Sequence, residues 1–161
     1  MNLRAPEPLS SDHQIHGFAC GESVLDEWLK RRALSNQGSG ASRTFVVTNA
    51  AREVMGYYAL AAGAVAHRDA TRVVRQNMPD PIPVMVLARL AVDKRAQGMK
   101  VGAALLQDAV RRCVLVSHNT GVRAMLVHAL NDGARQFYAY YGFRESPAHP
   151  MALMLRLAQG T

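Results

Sequence analysis

The sequence predicts an α/β fold with one mixed, mostly antiparallel twisted sheet and helices on both of its faces. An apolar run at 84–92 is followed by a short polar turn and an amphipathic segment from Val101, as where a buried strand leads into a helix. A second strand and helix follow at 122–129 and 132–141. Two earlier strand-like runs, 43–48 and 54–64, are joined by a turn, as in an antiparallel pair.

Length and composition predict one domain over residues 1–161, since 161 residues bury one core but hardly two. No apolar run is long enough to span a bilayer, and the first residues lack the apolar core of a signal peptide. Two cysteines do not make a disulfide framework, and they lack zinc spacing with the six histidines. We therefore expect a cytoplasmic protein without a metal site or a membrane segment.

The net charge is strongly positive, at +7, with a pI near 10.0. Such a surface attracts polyanions, which include nucleic acid, anionic lipid and acidic proteins. A basic protein without such a partner has the same composition, so charge alone does not decide between them.

The N-terminal elements are predicted to be a strand at 9–18, a helix beginning at 20–23 and a loop at 36–42. The helix ends in Lys30, Arg31 and Arg32, which complement its dipole and are also able to bind phosphates. A long connection, 67–83, follows the antiparallel pair and carries Arg68, Arg72 and Arg75. Connections of this length in a small domain are often functional or mobile.

The turn between the strand at 84–92 and the next helix has the features of an anion site. Backbone N–H groups of a glycine-bearing turn and of a helix start point outward together, and the helix dipole favours negative charge there. Its sequence, Gln97-Gly98-Met99-Lys100-Val101-Gly102, resembles the acetyl-CoA signature of the GNAT acetyltransferases. It matches that signature at Gln97 and Gly102 and departs from it at Lys100, where the family has glycine.

The segment from Asn131 to Phe143, NDGARQFYAYYGF, resembles the second GNAT hallmark, in which Asn, Ala, Phe-Tyr and Gly-Phe recur at this spacing. With both hallmarks in order, the chain is identified as a member of the GNAT family over its whole length. Longer matches, among them CGESVLDEWLKRR and NMPDPIP, resemble the TacT/AtaT-type toxins of toxin–antitoxin systems. That resemblance implies acetyl transfer from acetyl-CoA to the α-amino group of aminoacyl-tRNA, which blocks translation. It also implies a ribbon-helix-helix antitoxin and a homodimer.

The GNAT resemblance also implies where the cofactor binds and which residue is catalytic. Backbone groups of Leu90, Ala91 and Val92 would line the pantetheine arm. Further acetyl-CoA contacts would come from Gln97, Gly98, Met99, Lys100, Val101, Gly102, Ala103, Asn131 and Phe137. Tyr138 matches the general acid, because a phenol is protonated at neutral pH and gives its proton to the departing thiolate.

Several alternatives stay open at this stage. Tyr138 is equally well placed to be a core aromatic, with Tyr140 and Tyr141 as rival phenols, and Asn131 is equally well placed to be a helix cap. No residue stands out as a general base. Lys100 either turns its ammonium toward the phosphates and pairs with them, or fills the site with its Cβ and stem. We expect the second, which would weaken acetyl-CoA binding and make the chain an impaired enzyme or a binding module without catalysis. The remaining alternative is a GNAT enzyme that acetylates a small amine or a protein N-terminus.

On the acceptor side, the six basic residues at 30–32 and at 68, 72 and 75 would contact tRNA phosphates.

Overall fold

The computed structural model describes residues 1–157, with seven strands and five helices in that range. The strands are β1 (Glu7–Pro8), β2 (Arg43–Thr48), β3 (Val54–Val65), β4 (Ile82–Val92), β5 (Ala124–His128), β6 (Arg144–Glu145) and β7 (Ala152–Arg156). The helices are α1 (Ser23–Arg31), α2 (Ala33–Ser39), α3 (Arg72–Arg75), α4 (Val101–Ser117) and α5 (Asp132–Tyr140). Short 3₁₀ turns occupy His67–Asp69 and Lys94–Ala96.

All seven strands belong to one mixed sheet, in the order β1-β2-β3-β4-β5-β7-β6. β4 and β5 run parallel, whereas β1–β2, β2–β3, β5–β7 and β6–β7 are antiparallel. The predicted mixed, mostly antiparallel sheet is therefore confirmed. The parallel pair follows from the long α4 crossover, because parallel neighbours need a connection that returns the chain to the same end of the sheet.

The chain forms two compact units. The first contains Met1–Ala61 and Ala88–Ala109, and the second contains Ala62–Leu87 and the chain from Val110 onward. Both β3 and β4 begin in one unit and end in the other. The antiparallel β2–β3 pair lies in the first unit, and the parallel β4–β5 pairing lies in the second.

In the first unit, helices cover both faces of β3. Tyr57 is fully buried in a cluster with Leu29 of α1 and Ala33 of α2. Its neighbours point the other way: the Tyr58 hydroxyl donates to Asp108 of α4, and Gly56 lies against the start of α4. Because successive strand residues face opposite sides, α1 and α2 pack on one face and α4 on the other. This arrangement confirms the predicted helices on both faces.

In the second unit, a hydrophobic core forms where α3 packs on the sheet. Val74 of α3 is buried with Val84, Leu126 and Met154, which come from β4, β5 and β7. Arg123 fixes α3 in place, because its guanidinium donates to the carbonyl oxygens of Val73, Val74 and Gln76 at 3.1 to 3.3 Å.

Three local predictions differ from the structure. The strand predicted at 9–18 is wrong: the nearest strand, β1, ends at Pro8, and 9–18 form turns in which the Ser10 N–H donates to His13 Nδ1 at 3.0 Å. The loop predicted at 36–42 is mostly α2, which ends at Ser39 and is capped by Gly40 with φ of 81°. The connection at 67–83 contains the 3₁₀ turn His67–Asp69 and α3, so it is more ordered than a long loop.

Candidate functional site

The turn that follows β4 is anchored by a buried carboxylate. Asp93 is 2% exposed and accepts hydrogen bonds from the N–H groups of Ala19, at 3.0 Å, and Arg95, at 2.9 Å. Burial opposes its ionisation, but the hydrogen bonds with Arg95 and Ala19 outweigh burial and hold the pKa of Asp93 below its usual value. The ionised carboxylate therefore fixes the point at which the chain leaves β4.

Gln97 braces the same turn from its other end. Its side-chain nitrogen donates to the carbonyl oxygens of Cys20 and Val92, both at 2.9 Å. The side chain of this predicted cofactor-binding residue therefore stabilises the conformation of the turn. The backbone of the turn is the part that is presented to a ligand.

Two residues of the turn have left-handed backbone conformations, Gly98 with φ of 83° and Lys100 with φ of 62°. A Cβ on Gly98 would meet nothing within 4 Å, so the turn faces open space there. α4 begins directly afterwards, and its first intrahelical bond runs from Ala104 N–H to the Lys100 carbonyl oxygen at 3.1 Å. The N–H groups of Val101, Gly102 and Ala103 precede that bond and have no intrahelical acceptor. Alternating left-handed residues at a helix start form a concave array of N–H groups that fits a phosphate.

The predicted pantetheine-lining residues lie on the last part of β4. Its register with β5 ends at Leu87 and Val127, whereas β4 itself continues to Val92. Ala91 is 5% exposed, and Leu90 and Val92 are half-buried. Past Leu87, the backbone N–H and C=O groups of β4 therefore do not hydrogen-bond to β5. An extended acyl arm lying along the strand needs such groups as hydrogen-bond partners.

Tyr138, Asn131 and Phe137 all belong to α5. Tyr138 is 6% exposed and its ring packs edge-on against Phe137 and at a tilt against Phe143. Burial raises the pKa of its phenol, and within residues 1–157 its hydroxyl has no hydrogen-bond partner. The hydroxyl therefore keeps its proton and is available to a ligand.

Asn131 caps α5, since its side-chain oxygen accepts the Ala134 N–H at 2.9 Å. The capping role is thus observed, and its side-chain NH₂ stays available for a second contact. The rival phenols are solvent-exposed: Tyr140 is 81% exposed and Tyr141 is 44% exposed. A phenol in water is a poor site for directed proton transfer, so the structure favours Tyr138 among the three.

The predicted tRNA-contacting residues form one group in each unit. Lys30, Arg31 and Arg32 end α1 in the first unit, and Arg31 pairs with Glu27 at 2.8 Å on the surface. Arg68, Arg72 and Arg75 lie within the short segment His67–Arg75 in the second unit, and all three are exposed.

Arg89 is a basic residue of β4 that lies outside the two predicted basic groups. Its guanidinium lies 4.6 Å from the centre of the Trp28 ring, and its buried Nε has no hydrogen-bond partner. A strand position gives no hint of such a contact. Only the packing of α1 on the sheet brings Trp28 over this residue.

Within residues 1–157, no three histidine, cysteine or acidic side chains are grouped so as to hold a metal ion. Nor is any helix in that range both long and apolar enough to cross a membrane.

Comparisons with known proteins agree on one family. The family model of the acetyltransferase (GNAT) domain matches residues 10–151. The tRNA-acetylating toxin of Mycobacterium tuberculosis (strain ATCC 25618 / H37Rv) is 50% identical over 151 residues, which are 94% of this chain and 90% of that protein. The structure of AtaT complexed with acetyl-methionyl-tRNAfMet is 26% identical, with a TM-score of 0.88 over 96% of this chain and 95% of that one. A tyrosine-to-phenylalanine mutant of the AtaT toxin, bound to the C-terminus of the antitoxin AtaR and to acetyl-CoA, is 27% identical, with a TM-score of 0.81 over 96% and 93% of the two chains.

Proposed function

This chain belongs to the acetyltransferase (GNAT) domain family and is therefore an N-acetyltransferase, and from that premise we propose that it is the toxin of a toxin–antitoxin pair. Its reaction is the transfer of an acetyl group from acetyl-CoA to the α-amino group of aminoacyl-tRNA, which blocks translation. The observation that carries the proposal is 50% identity to a tRNA-acetylating toxin over nearly the whole of both chains.

Acetyl-CoA fits the residues that are present. The left-handed turn and the first N–H groups of α4, from Gln97 to Ala103, would hold its pyrophosphate. The backbone of Leu90, Ala91 and Val92 would line the pantetheine arm, with Phe137 and the free NH₂ of Asn131 contributing from α5. When bound, the cofactor supplies the acetyl group as a thioester.

Tyr138 is the proposed general acid, holding a proton at its hydroxyl for the thiolate that leaves. A raised pKa makes a phenol a weaker acid in isolation. The same burial penalises a thiolate formed beside it, so the affinities of both groups for the proton rise together and transfer between them stays feasible.

The tRNA is proposed to be held by dispersed cations, namely Lys30, Arg31, Arg32, Arg68, Arg72 and Arg75. Exposed Lys and Arg side chains bind phosphates without reading bases. The charge of +7 supports an anionic acceptor and disfavours polyamines, whose cationic groups need an acidic cleft.

We further propose a ribbon-helix-helix antitoxin, a homodimeric toxin and a cytoplasmic location, where charged tRNA is found. In support of the antitoxin, a solved AtaT structure contains the C-terminus of the antitoxin AtaR.

The decisive experiment incubates the protein with isotope-labelled acetyl-CoA and a pool of charged tRNA. Mass spectrometry of the nuclease-released aminoacyl-adenosine then looks for the labelled acetyl group on the α-nitrogen. We expect that adduct with the parent protein and at most a trace with Tyr138→Phe. Label only on a small amine or on a protein N-terminus would establish the alternative acetyltransferase. No label on any acceptor would establish a binding module.

A further inference from the structure

The second unit contains a cavity of about 250 Å³, and none of the site residues assigned so far lines it. Its floor is apolar and is formed by Val65, Leu126, Ala152 and Met154, which come from β3, β5 and β7. Its rim is polar, with Asp69, His128, Ser146 and His149. An apolar floor with a few convergent polar groups is the usual make-up of a small-ligand site.

The polar rim is held in a fixed shape by its own hydrogen bonds. The Ser146 hydroxyl donates to the Asp69 carbonyl oxygen at 2.6 Å and accepts the N–H groups of Ala148 and His149, at 3.2 and 3.3 Å. His149 Nε2 lies 3.5 Å from a carboxylate oxygen of Asp69. Two residues far apart in the chain are thus brought face to face across the mouth of the cavity, and Ser146, the residue between them, is 5% exposed.

The cavity also lies beside the point where the parallel strands cease to pair. His128 on its rim is the residue after Val127, which makes the last pair with Leu87 of β4.

A further cation adjoins the rim. Arg68 precedes Asp69 in the 3₁₀ turn His67–Asp69, and its side chain is 87% exposed. A ligand with an amine and, a few bonds away, a phosphate would place the amine beside the negative Asp69 and the phosphate beside the positive Arg68.

We propose that this cavity binds the aminoacyl group of the acceptor tRNA, a proposal that rests on the function proposed above. The α-ammonium contacts Asp69 and His149 at the rim, the amino-acid side chain lies over Leu126 and Met154, and Arg68 contacts the phosphate of the terminal nucleotide. The volume of the cavity suits one amino-acid residue, and the Asp69 carboxylate repels acidic side chains.

The test measures whether the protein distinguishes charged from uncharged tRNA, without acetyl-CoA, so that no turnover occurs. The probes are one tRNA with its 3′ end free and the same tRNA carrying methionine through a non-hydrolysable amide. The variants are Asp69→Asn and His149→Ala, with His118→Ala as a histidine control outside the cavity. Fluorescence anisotropy gives both affinities, and calorimetry with acetyl-CoA shows that each variant is folded.

We expect the parent and His118→Ala to bind the charged tRNA at least fivefold more tightly than the uncharged one. Asp69→Asn and His149→Ala should lose that preference while keeping their affinity for uncharged tRNA and for acetyl-CoA. An unchanged preference in both variants, or none in the parent, overturns the inference. The acetylation assay is a separate readout: if the parent acetylates charged tRNA and the cavity variants keep the preference, this inference fails and the proposed function stands.

Discussion

At the residue scale, Lys100 is one of three residues other than glycine that the described part of the chain holds at a positive φ. Its φ of 62° lies in the left-handed region, where a Cβ destabilises the backbone by about 1–2 kcal/mol. The GNAT signature has glycine at this place, and the structure supplies the reason, since only glycine adopts that conformation without strain.

We therefore predict that Lys100→Gly raises acetyl-CoA affinity several-fold, because the backbone of the turn then approaches the pyrophosphate without a side chain in the way. Relief of strain outweighs the added entropy of the unfolded chain, so the free energy of unfolding should rise by up to about 1 kcal/mol. Calorimetric titration and urea unfolding measure the two effects.

Arg52→Gly is the matched control, because Arg52 has a φ of 64° in the β2–β3 turn, away from the helix start. It should resemble Lys100→Gly in stability and leave acetyl-CoA affinity unchanged. Equal, tight binding of acetyl-CoA before and after Lys100→Gly would mean that the lysine is tolerated and that the chain is already fully competent.

Tyr138→Phe should lower kcat by roughly 10²–10⁴, the usual effect of losing one catalytic proton donor. The ring contacts with Phe137 and Phe143 are kept, so the thermal midpoint and the KM for acetyl-CoA should stay close to the parent values. Steady-state kinetics with charged tRNA provides the measurement. Tyr140→Phe and Tyr141→Phe are the controls, and a large loss in either of them instead of Tyr138→Phe would reassign the role.

At the scale of elements, the turn proposed to bind the pyrophosphate depends on how closely α4 approaches β3. A Cβ on Gly56 would lie 2.9 Å from Leu105 and 3.1 Å from Val101, the first residue of α4. Gly56 therefore sets the position of the helix start that carries the free N–H groups.

Gly56→Val should push α4 away from the strand. This displacement should lower the free energy of unfolding by about 1–3 kcal/mol and, at the same time, weaken acetyl-CoA binding. Gly17→Val adds the same side chain where nothing lies within 4 Å, and it should change neither property. Thermal unfolding and calorimetry measure both. A destabilised Gly56→Val protein with unaltered affinity for acetyl-CoA would separate the packing of α4 from the site.

Features with a local sequence signal were predictable, whereas features that depend on contacts between distant residues were not. The turn after β4 was predictable because its signal is local: Gln97, Gly98 and the helix start lie within a few residues of one another. The helix α2 was missed because Asn36, Gly38 and Ser39 favour loops, while Gln37 is held by hydrogen bonds to the Thr44 backbone. The cavity was invisible because Asp69 and His149 meet only through the fold, and neither belongs to a motif.

At the scale of the whole molecule, the charge of +7 predicts a strong salt dependence of tRNA binding. Each phosphate-contacting cation that is removed should lower the slope of log K against log salt by about one unit. We expect this for Arg72→Gln in anisotropy titrations with uncharged tRNA, whereas the exposed Arg4→Gln, outside both basic groups, should leave the slope unchanged. Affinity that does not respond to salt would exclude phosphate contacts as the basis of binding.

The two compact units are each discontinuous in sequence, because the chain passes between them within β3, within β4 and again within α4. During synthesis, the first unit is incomplete until Ala109 has left the ribosome, and the second waits for β7, which pairs along the whole of β5. Tyr138 thus belongs to a unit that is complete only once β7 has been synthesised. For a protein proposed to act on the charged tRNA that its own synthesis consumes, we therefore expect a nascent chain without β7 to be inactive.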